Sequence, residues 1–401
     1  MRHAVLYSGN QYIFETENNV SVSFTHKRHA FNIFVNPGEN LWTFDLEGRL
    51  MGMFFEGKNI RRTLDNRFYL KTRELIGLDV FRTVRELSQI DYEKEYEKGR
   101  EYLEEYQIEL PDDVQKIASK ILEWDLDKLN KQANEFTKVY KPISILPPDQ
   151  YLALVVQITE GCSYNKCAFC NFYRDRKFKI KSVNAIEEHL LSIKEFIGEG
   201  IHVRRSIFLG DANALIIPQN QLIATFYAIN HHYPYLTNIY SFIDVYTGIM
   251  KTCDDFAALA QMGLKRVYLG VETGNPELLE LLNKPRIDSN LHKLVFDLKQ
   301  GGIDVGIIFL AGIGGNTFAD KHVQDSIKLV DQLSLSAGDI VYVSEYYNTN
   351  PEYQKVVDDA GVEGMNRKEI RRQANYLRQQ LKYLLPKQVK ISVYDIQQFF
   401  Y

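Results

Sequence analysis

The chain has 401 residues, 45% of them hydrophobic and 25% charged, and its 52 acidic and 48 basic side chains give a formal net charge of -4. This composition excludes a disordered chain, a collagen and a coiled coil, and the length suffices for one large or two ordinary globular domains. The balanced charge disfavours nucleic acid as a partner without excluding it, because basic surfaces can be local. No apolar run resembles a membrane span or a secretory signal, so we expect a cytoplasmic protein with no membrane partner.

Residues 1–145 are predicted to form an accessory region, with a β meander over about 1–75 and helices over about 80–140. Short runs rich in β-branched and aromatic residues alternate there with turn signals such as Asn36-Pro37-Gly38 and Glu56-Gly57. Asp112 or Asp113 is expected to cap one of the helices that follow.

Between residues 146 and 350, strand-like and helix-like segments alternate. The expected strands are LALVVQIT, RRSIFLG, TNIYSFI, RVYLGVE, IDVGIIFLAG and DIVYVSEY, and the expected helices cover about 183–197, 219–232, 253–262, 276–300 and 317–333. This alternation predicts an α/β fold with a parallel sheet, either doubly wound or a partial (β/α)6 TIM-like barrel, with the active site at the carboxyl ends of the strands. Residues 351–401 are predicted to be a helical C-terminal extension, because leucines and Ile370 recur there at helical spacing.

Three cysteines are grouped in ITEGCSYNKCAFCNFY, directly after the first strand of the repeat. Cys162, Cys167 and Cys170 have C-x4-C-x2-C spacing, and soft thiolates on one loop are typical of zinc or iron–sulfur sites. One interpretation is a structural zinc completed by one of the nine histidines. A second is a plant-type ferredoxin cluster completed by Cys253. A third is a cluster with an open iron, which suits catalysis.

The cysteine loop, the aromatic Phe169 before its last cysteine and the βα repeat together resemble the radical S-adenosylmethionine (SAM) superfamily over about residues 151–350. The resemblance implies that Cys162, Cys167 and Cys170 hold one [4Fe–4S] cluster whose open iron binds the amino and carboxylate groups of SAM. It also implies reductive cleavage of SAM to a 5′-deoxyadenosyl radical. The first gap is one residue longer than the family's usual C-x3-C-x2-C spacing.

The resemblance assigns contacts to SAM at later strand ends. Phe169 belongs to the SAM site, and Gly210 and Asp211 resemble the end of a Gly-Gly-Glu segment that binds the methionine ammonium. Ser241 or Asp244, in the segment YSFIDVYTG where the third strand ends, is expected near the ribose.

The segment RVYLGVETGNPELLELLNKP resembles the Gly-x-Glu-Ser-Gly segment of the coproporphyrinogen-dehydrogenase-like and methylthiotransferase-like branches. By that match Glu272 meets the ribose or amino group of SAM, and Lys284 lies near the methionine carboxylate. Gly306 and Gly312 would allow the backbone to approach the adenine closely.

The resemblance therefore implies an enzyme whose radical abstracts hydrogen from an unidentified substrate. The balanced charge of the chain favours a small molecule as that substrate. A flavodoxin or ferredoxin is the expected reductant. A second cysteine-ligated cluster is not expected, because Cys253 alone remains, and the Asp-x-His-x-x-Gly signature of a cobalamin domain is missing. The alternative is a non-catalytic binding or electron-transfer protein stapled by zinc or an iron–sulfur cluster.

Overall fold

The structure is a computed structural model that describes residues 3–16, 18–76, 79–286, 288–348, 350–395 and 399–401. The described residues form two compact units. The first unit takes those of 1–142, 191–205 and 397–401, and the second takes those of 143–190 and 206–396. No helix in these described ranges is long and apolar enough to cross a membrane.

The first unit contains a nine-stranded antiparallel sheet in which each strand pairs with its neighbour in sequence. The strands are β1 (His3–Ser8), β2 (Gln11–Glu15), β3 (Ser21–Lys27), β4 (Ala30–Asn36), β5 (Asn40–Phe44), β6 (Leu50–Phe55), β7 (Lys58–Arg62), β8 (Phe68–Ile76) and β9 (Asp79–Leu87). The β-rich N-terminal region is confirmed. Strand β9 lies where helices were expected from about residue 80, because Val80, Phe81, Val84 and Leu87 fall at helical spacing and the strand depends on its pairing with β8.

Three helices cover one face of this sheet, namely α1 (Glu93–Tyr106), α2 (Asp112–Glu123) and α3 (Leu126–Val139). Aromatic side chains of the sheet, among them the fully buried Trp42, form one hydrophobic core with the helices. Gly99 of α1 admits this close packing, because a Cβ atom there would lie 2.7 Å from the Trp42 ring. Pro111 occupies the N-cap position of α2. Asp112 and Asp113 therefore lie in its first turn, where their negative charges interact favourably with the helix dipole but do not cap the helix.

The second unit contains a seven-stranded parallel sheet with the order β10-β13-β14-β15-β16-β17-β18. Its strands are β10 (Ala153–Gln157), β13 (Ser206–Gly210), β14 (Ile239–Phe242), β15 (Leu264–Glu272), β16 (Asp304–Ala311), β17 (Ile340–Glu345) and β18 (Lys390–Asp395), and β11 (Thr159–Glu160) pairs with β12 (Lys179–Ile180). Each new strand adds on the same side of the previous one. That order is the one a partial TIM-like barrel requires, and a doubly wound sheet would reverse direction at a switch point.

Helices separate these strands. They are α4 (Val183–Ile197), α5 (Gln219–His232), α6 (Val245–Gly248), α7 (Cys253–Gln261), α8 (Pro276–Leu281), α9 (Asp288–Gln300), α10 (Ala319–Asp331), α11 (Pro351–Asp359) and α12 (Arg367–Leu384). The single helix expected over 276–300 is two helices, because Asn283 has a φ of 49° and Pro285 cannot continue α8. The C-terminal extension is not purely helical, since β18 pairs with β17 as a seventh strand.

Asp149 ties the segment before β10 to two strands of the parallel sheet. Asp149, which precedes β10, accepts hydrogen bonds from the Tyr268 hydroxyl at 2.6 Å and the Tyr342 hydroxyl at 2.8 Å. Arg266 donates to the same carboxylate at 2.9 Å. These hydrogen bonds fix the segment that precedes β10 against β15 and β17.

Candidate active site

The three clustered cysteines lie on the loop between β11 and β12, at the carboxyl end of β10. All three are free thiols of intermediate exposure. The loop turns at Asn165, whose φ is 47° and whose backbone N–H points to the Cys162 Sγ at 3.4 Å. Arg174 donates to the carbonyl oxygens of Cys167 at 3.0 Å and Cys170 at 3.3 Å, so one guanidinium links two of the cysteine residues.

Two of the thiols interact electrostatically with Glu272, which ends β15, and with Lys284, which follows α8. Burial raises the pKa of the Cys167 thiol to about 12, Lys284 opposes that rise, and Glu272 and the other two thiols reinforce it. Burial also raises the pKa of Cys170, against a backbone hydrogen bond from Phe172. The structure therefore brings Cys162, Cys167 and Cys170 together with Glu272 and Lys284.

The donor set fits an iron–sulfur cluster better than a single ion. No three His, Cys, Asp or Glu side chains of the described ranges converge closely enough to hold one metal ion, as a structural zinc requires. Three thiols on one loop can instead ligate three irons of a cubane. Cys253 begins α7, where its Sγ lies 3.9 Å from Asp254, and it is not among the groups that shift the pKa of Cys167 or Cys170.

Asp211 follows β13 and is buried, with 6% exposure. Its Oδ1 accepts a hydrogen bond from the Gln157 side chain at 2.8 Å, and its Oδ2 accepts one from the Gly161 backbone N–H at 2.8 Å. Arg176 lies 3.4 Å from the same Oδ2. Burial raises the pKa of Asp211, and the Gly161 bond opposes the rise. The carboxylate thus holds both ends of the cysteine loop, a role the sequence did not indicate.

Gly210 and Ser241 lie on neighbouring strands beside this carboxylate. The Gly210 carbonyl accepts from the Ile158 backbone N–H at 3.0 Å, which fixes the start of the cysteine loop to β13. Ser241 is fully buried, and its hydroxyl lies 3.1 Å from the Leu209 carbonyl. Contacts of Gly210, Asp211 and Ser241 with SAM stay predictions.

The Asp244 side chain caps the N-terminus of α6. Its Oδ1 accepts from the Thr247 backbone N–H at 2.6 Å, and its Oδ2 accepts from the Asn213 side chain. Asn213 also donates to the Ser163 hydroxyl, next to Cys162, at 2.9 Å. Sequence analysis missed Asn213, although its position in the loop that follows β13 was an available signal.

Glu272 and Lys284 form a buried ion pair at the end of β15. The Lys284 Nζ lies 2.7 Å from the Glu272 Oε1, and each side chain is 10% exposed. Although burial lowers the pKa of Lys284, Glu272 and then Cys167 raise it, so that the net shift is upward. Glu272 has a left-handed φ of 65°, which turns it at an irregularity in the pairing of β15 with β16. The sequence placed these two residues at one site, and they are in contact.

Phe169 packs edge-on against Tyr346, with ring centroids 6.1 Å apart. Its ring therefore belongs to the wall between the cysteine loop and the end of β17. Gly306 and Gly312 serve internal packing, because a Cβ atom would lie 2.3 Å from Tyr268 at position 306 and 2.7 Å from Ile370 at position 312. Protein side chains occupy the space beside these two glycines, where the sequence predicted the adenine.

Glu345 is a carboxylate that sequence reasoning passed over. It ends β17, is 1% exposed, and accepts from Arg371 of α12 through both oxygens, with an Nη2 to Oε2 distance of 3.0 Å. The Tyr347 hydroxyl donates to the same carboxylate. Its position at a strand end was a usable signal, because Asp211 and Glu272 occupy the same place in their strands. The contribution of α12 was not readable from the sequence.

Residues 156–330 match the family model described as the radical SAM superfamily. Among solved structures, coproporphyrinogen III oxidase (HemN) from Escherichia coli shares 16% identity over 57% of this chain and 52% of its own, with a TM-score of 0.43. The radical SAM methyltransferase TsrM from Kitasatospora setae shares 14% identity over 63% of this chain and 58% of its own, with a TM-score of 0.42.

The cobalamin-dependent SAM radical enzyme OxsB shares 15% identity over 61% of this chain, with a TM-score of 0.39, and the match spans only 32% of that longer protein. These TM-scores lie below 0.5, so the similarity to radical SAM proteins rests on the family match over 156–330. No curated protein sequence matches this chain.

Proposed function

Residues 156–330 of this chain match the radical SAM superfamily, and from that premise we propose that the chain is a radical SAM enzyme that abstracts hydrogen from a substrate carbon. The observation that carries the proposal is the grouping of Cys162, Cys167 and Cys170 with the Glu272–Lys284 pair at the carboxyl end of the barrel. A [4Fe–4S] cluster, when bound, supplies the electron for the reductive cleavage of SAM to a 5′-deoxyadenosyl radical.

The residues of this chain have distinct parts in that reaction. Cys162, Cys167 and Cys170 would hold three irons, and Arg174 would keep the last two cysteine residues in their relative position through their carbonyls. Asp211 is a positioning residue for the loop, and we keep it together with Gly210 as candidate contacts to the methionine ammonium.

Charge complementarity supports a role for the Glu272–Lys284 pair. SAM carries a carboxylate and an ammonium group, and a buried carboxylate paired with an ammonium can exchange partners with it without leaving a charge uncompensated. Ser241 near the ribose and Phe169 beside the ligand complete the proposed SAM site.

The proposed substrate is a small molecule, as the balanced net charge favours, and the proposed reductant is a flavodoxin or ferredoxin. The domain limits 1–145, 146–350 and 351–401 remain our proposal for the accessory region, the radical SAM core and the extension. The non-catalytic alternative has no observation in its favour beyond the thiols themselves.

The test is anaerobic incubation of the reconstituted protein with SAM, dithionite and a metabolite pool, with 5′-deoxyadenosine measured by mass spectrometry. We expect 5′-deoxyadenosine that rises with one metabolite fraction, and none from Cys167→Ala. A fully iron-loaded protein that forms no 5′-deoxyadenosine under any of these conditions would refute the proposal.

A further inference from the structure

Four cations share the outer face of strands β7, β8 and β9. Register places Arg61 opposite Tyr69, Lys71 opposite Val84 and Arg73 opposite Arg82. Because side chains alternate between the faces of a strand, Arg61, Lys71, Arg73 and Arg82 all lie on one face, which we call the cationic face. Among the described side chains of these three strands, Glu86 is the one carboxylate on that face.

The cationic face is unfavourable for the sheet by itself. Arg73 and Arg82 are directly opposed, and like charges in that arrangement destabilise an antiparallel pair. Burial, followed by the charges of Arg61 and Arg82, lowers the pKa of Lys71 to about 8. Arg61, Arg73 and Arg82 are exposed to solvent, so a bound polyanion would have access to all three and would relieve their repulsion.

Aromatic rings lie on the same face as these cations. Pairing continues the row of Lys71 across the sheet through Asn59, Phe54 and Leu41 to Phe34, which is 38% exposed. At the other border, Tyr69 lies against Phe400 with ring centroids 4.4 Å apart, and the Lys71 Nζ lies 4.6 Å from the Phe400 ring. The face therefore combines ring surfaces with cations.

We propose that this outer face, formed by Phe34, Phe54, Arg61, Lys71, Arg73 and Arg82, binds single-stranded nucleic acid. Cations neutralise phosphates and release counterions, while exposed rings offer stacking to unpaired bases. The net charge of -4 does not oppose this, because it is a sum over the chain and says nothing of where charges cluster. The proposal concerns this surface alone and holds whichever molecule reacts at the cysteine loop.

The test uses the full-length, cluster-loaded protein and fluorescein-labelled oligo(U) and oligo(dT) of about 20 nucleotides, a length that spans typical single-strand sites. Fluorescence anisotropy gives the Kd over a series of KCl concentrations. We expect Arg82→Glu to weaken binding about tenfold and to flatten the slope of log K against log salt by about 0.7, the share of one single-strand phosphate contact. Phe34→Ala should weaken binding about tenfold with an unchanged slope, since stacking is not ionic.

Arg85→Glu is the matched control, because Arg85 lies on the same strand and on the opposite face. Its Kd should stay within about twofold of wild type, as expected for a residue outside the phosphate contacts. The Tm of Arg82→Glu is measured beside that of wild type, and an unchanged Tm shows that weaker binding does not come from misfolding.

The proposal fails if neither oligonucleotide binds, or if Arg85→Glu weakens binding as much as Arg82→Glu. It also fails if polyglutamate competes as well as unlabelled oligonucleotide at equal charge, because the rings would then contribute nothing and an acidic protein would fit equally. Equal binding of oligo(U) and oligo(dT) supports the proposal. Tighter binding of one of them also supports it and shows whether the face favours RNA or DNA.

Discussion

At the scale of single residues, variants of the Glu272–Lys284 pair can distinguish its contribution to protein stability from its contribution to SAM binding. Removing one partner leaves a buried charge, so we expect Glu272→Ala to lower the free energy of unfolding by about 3–5 kcal/mol. Replacing both residues by Met should restore most of that loss, because well-packed apolar residues often substitute for a buried pair.

The affinity for SAM should follow a different pattern in the same variants. Both Glu272→Ala and the double Met variant should bind SAM about ten- to a hundred-fold more weakly, since each has lost a charged contact. Calorimetric titration of iron-loaded protein measures this. Wild-type affinity in the double Met variant would show that the two residues are structural and do not contact SAM.

His322 predicts how stability depends on pH. It is buried, its Nδ1 lies 2.9 Å from the Thr273 hydroxyl, and burial lowers its pKa to about 4. The unfolded chain, with a histidine pKa of about 6.5, therefore takes up a proton first as the pH falls, and folding loses about 2 kcal/mol between pH 7 and pH 5.

Urea titration at the two pH values checks this expectation. His322→Gln should reduce the loss between pH 7 and pH 5, whereas His29→Gln, at an exposed position, should leave it unchanged. An undiminished loss in His322→Gln would mean that other groups carry the acid sensitivity.

Cysteine spacing grouped the three predicted cluster ligands, and the motif around Glu272 placed that residue and Lys284 at one predicted site. The ion pair between Glu272 and Lys284 was not predicted. The partners of Asp211 were not readable in the same way. Gly161 and Arg176 meet Asp211 only because β13 lies beside β10, a pairing that brings residues 50 and 35 positions away from Asp211 into contact with it.

At the scale of elements, the cysteine loop is anchored by Asp211 at its start and near its end. We expect Asp211→Ala to reach a wild-type iron content under excess iron and sulfide, and then to lose iron to a chelator several-fold faster. Asp254→Ala, beside the unclustered Cys253, is the control and should release iron at the wild-type rate. Equal release rates in Asp211→Ala and wild type would remove the anchoring role.

The elements that sequence reasoning misjudged share a physical cause. Strand β9 and strand β18 are stabilised by their partners β8 and β17, and strand propensity is weak without knowledge of the neighbour. Pro285 was a local signal for the break between α8 and α9. The helical spacing of apolar residues on either side nevertheless favoured a single helix. The buried strands of the barrel were predicted because their apolar runs are continuous.

At the scale of the whole molecule, the count of four cysteines limits the metal content. We expect close to four irons per chain after anaerobic reconstitution, because three loop thiolates suit one cubane. Cys162→Ala, Cys167→Ala and Cys170→Ala should each abolish the cluster, and Cys253→Ala should keep it. Iron and absorbance measurements decide this, and stoichiometric zinc without iron, or a loss of the cluster in Cys253→Ala, would contradict it.

The composition of the first unit has a consequence for the order in which the chain folds during synthesis. Its nine strands pair only with sequence neighbours, so the sheet can form hairpin by hairpin while the cysteine loop has not yet been translated. Yet the Leu64 backbone N–H donates to the Tyr401 carbonyl at 2.8 Å, and the Tyr401 ring lies near Arg204. A unit that begins to form first is thus completed only after residues 206–396 of the second unit have been translated.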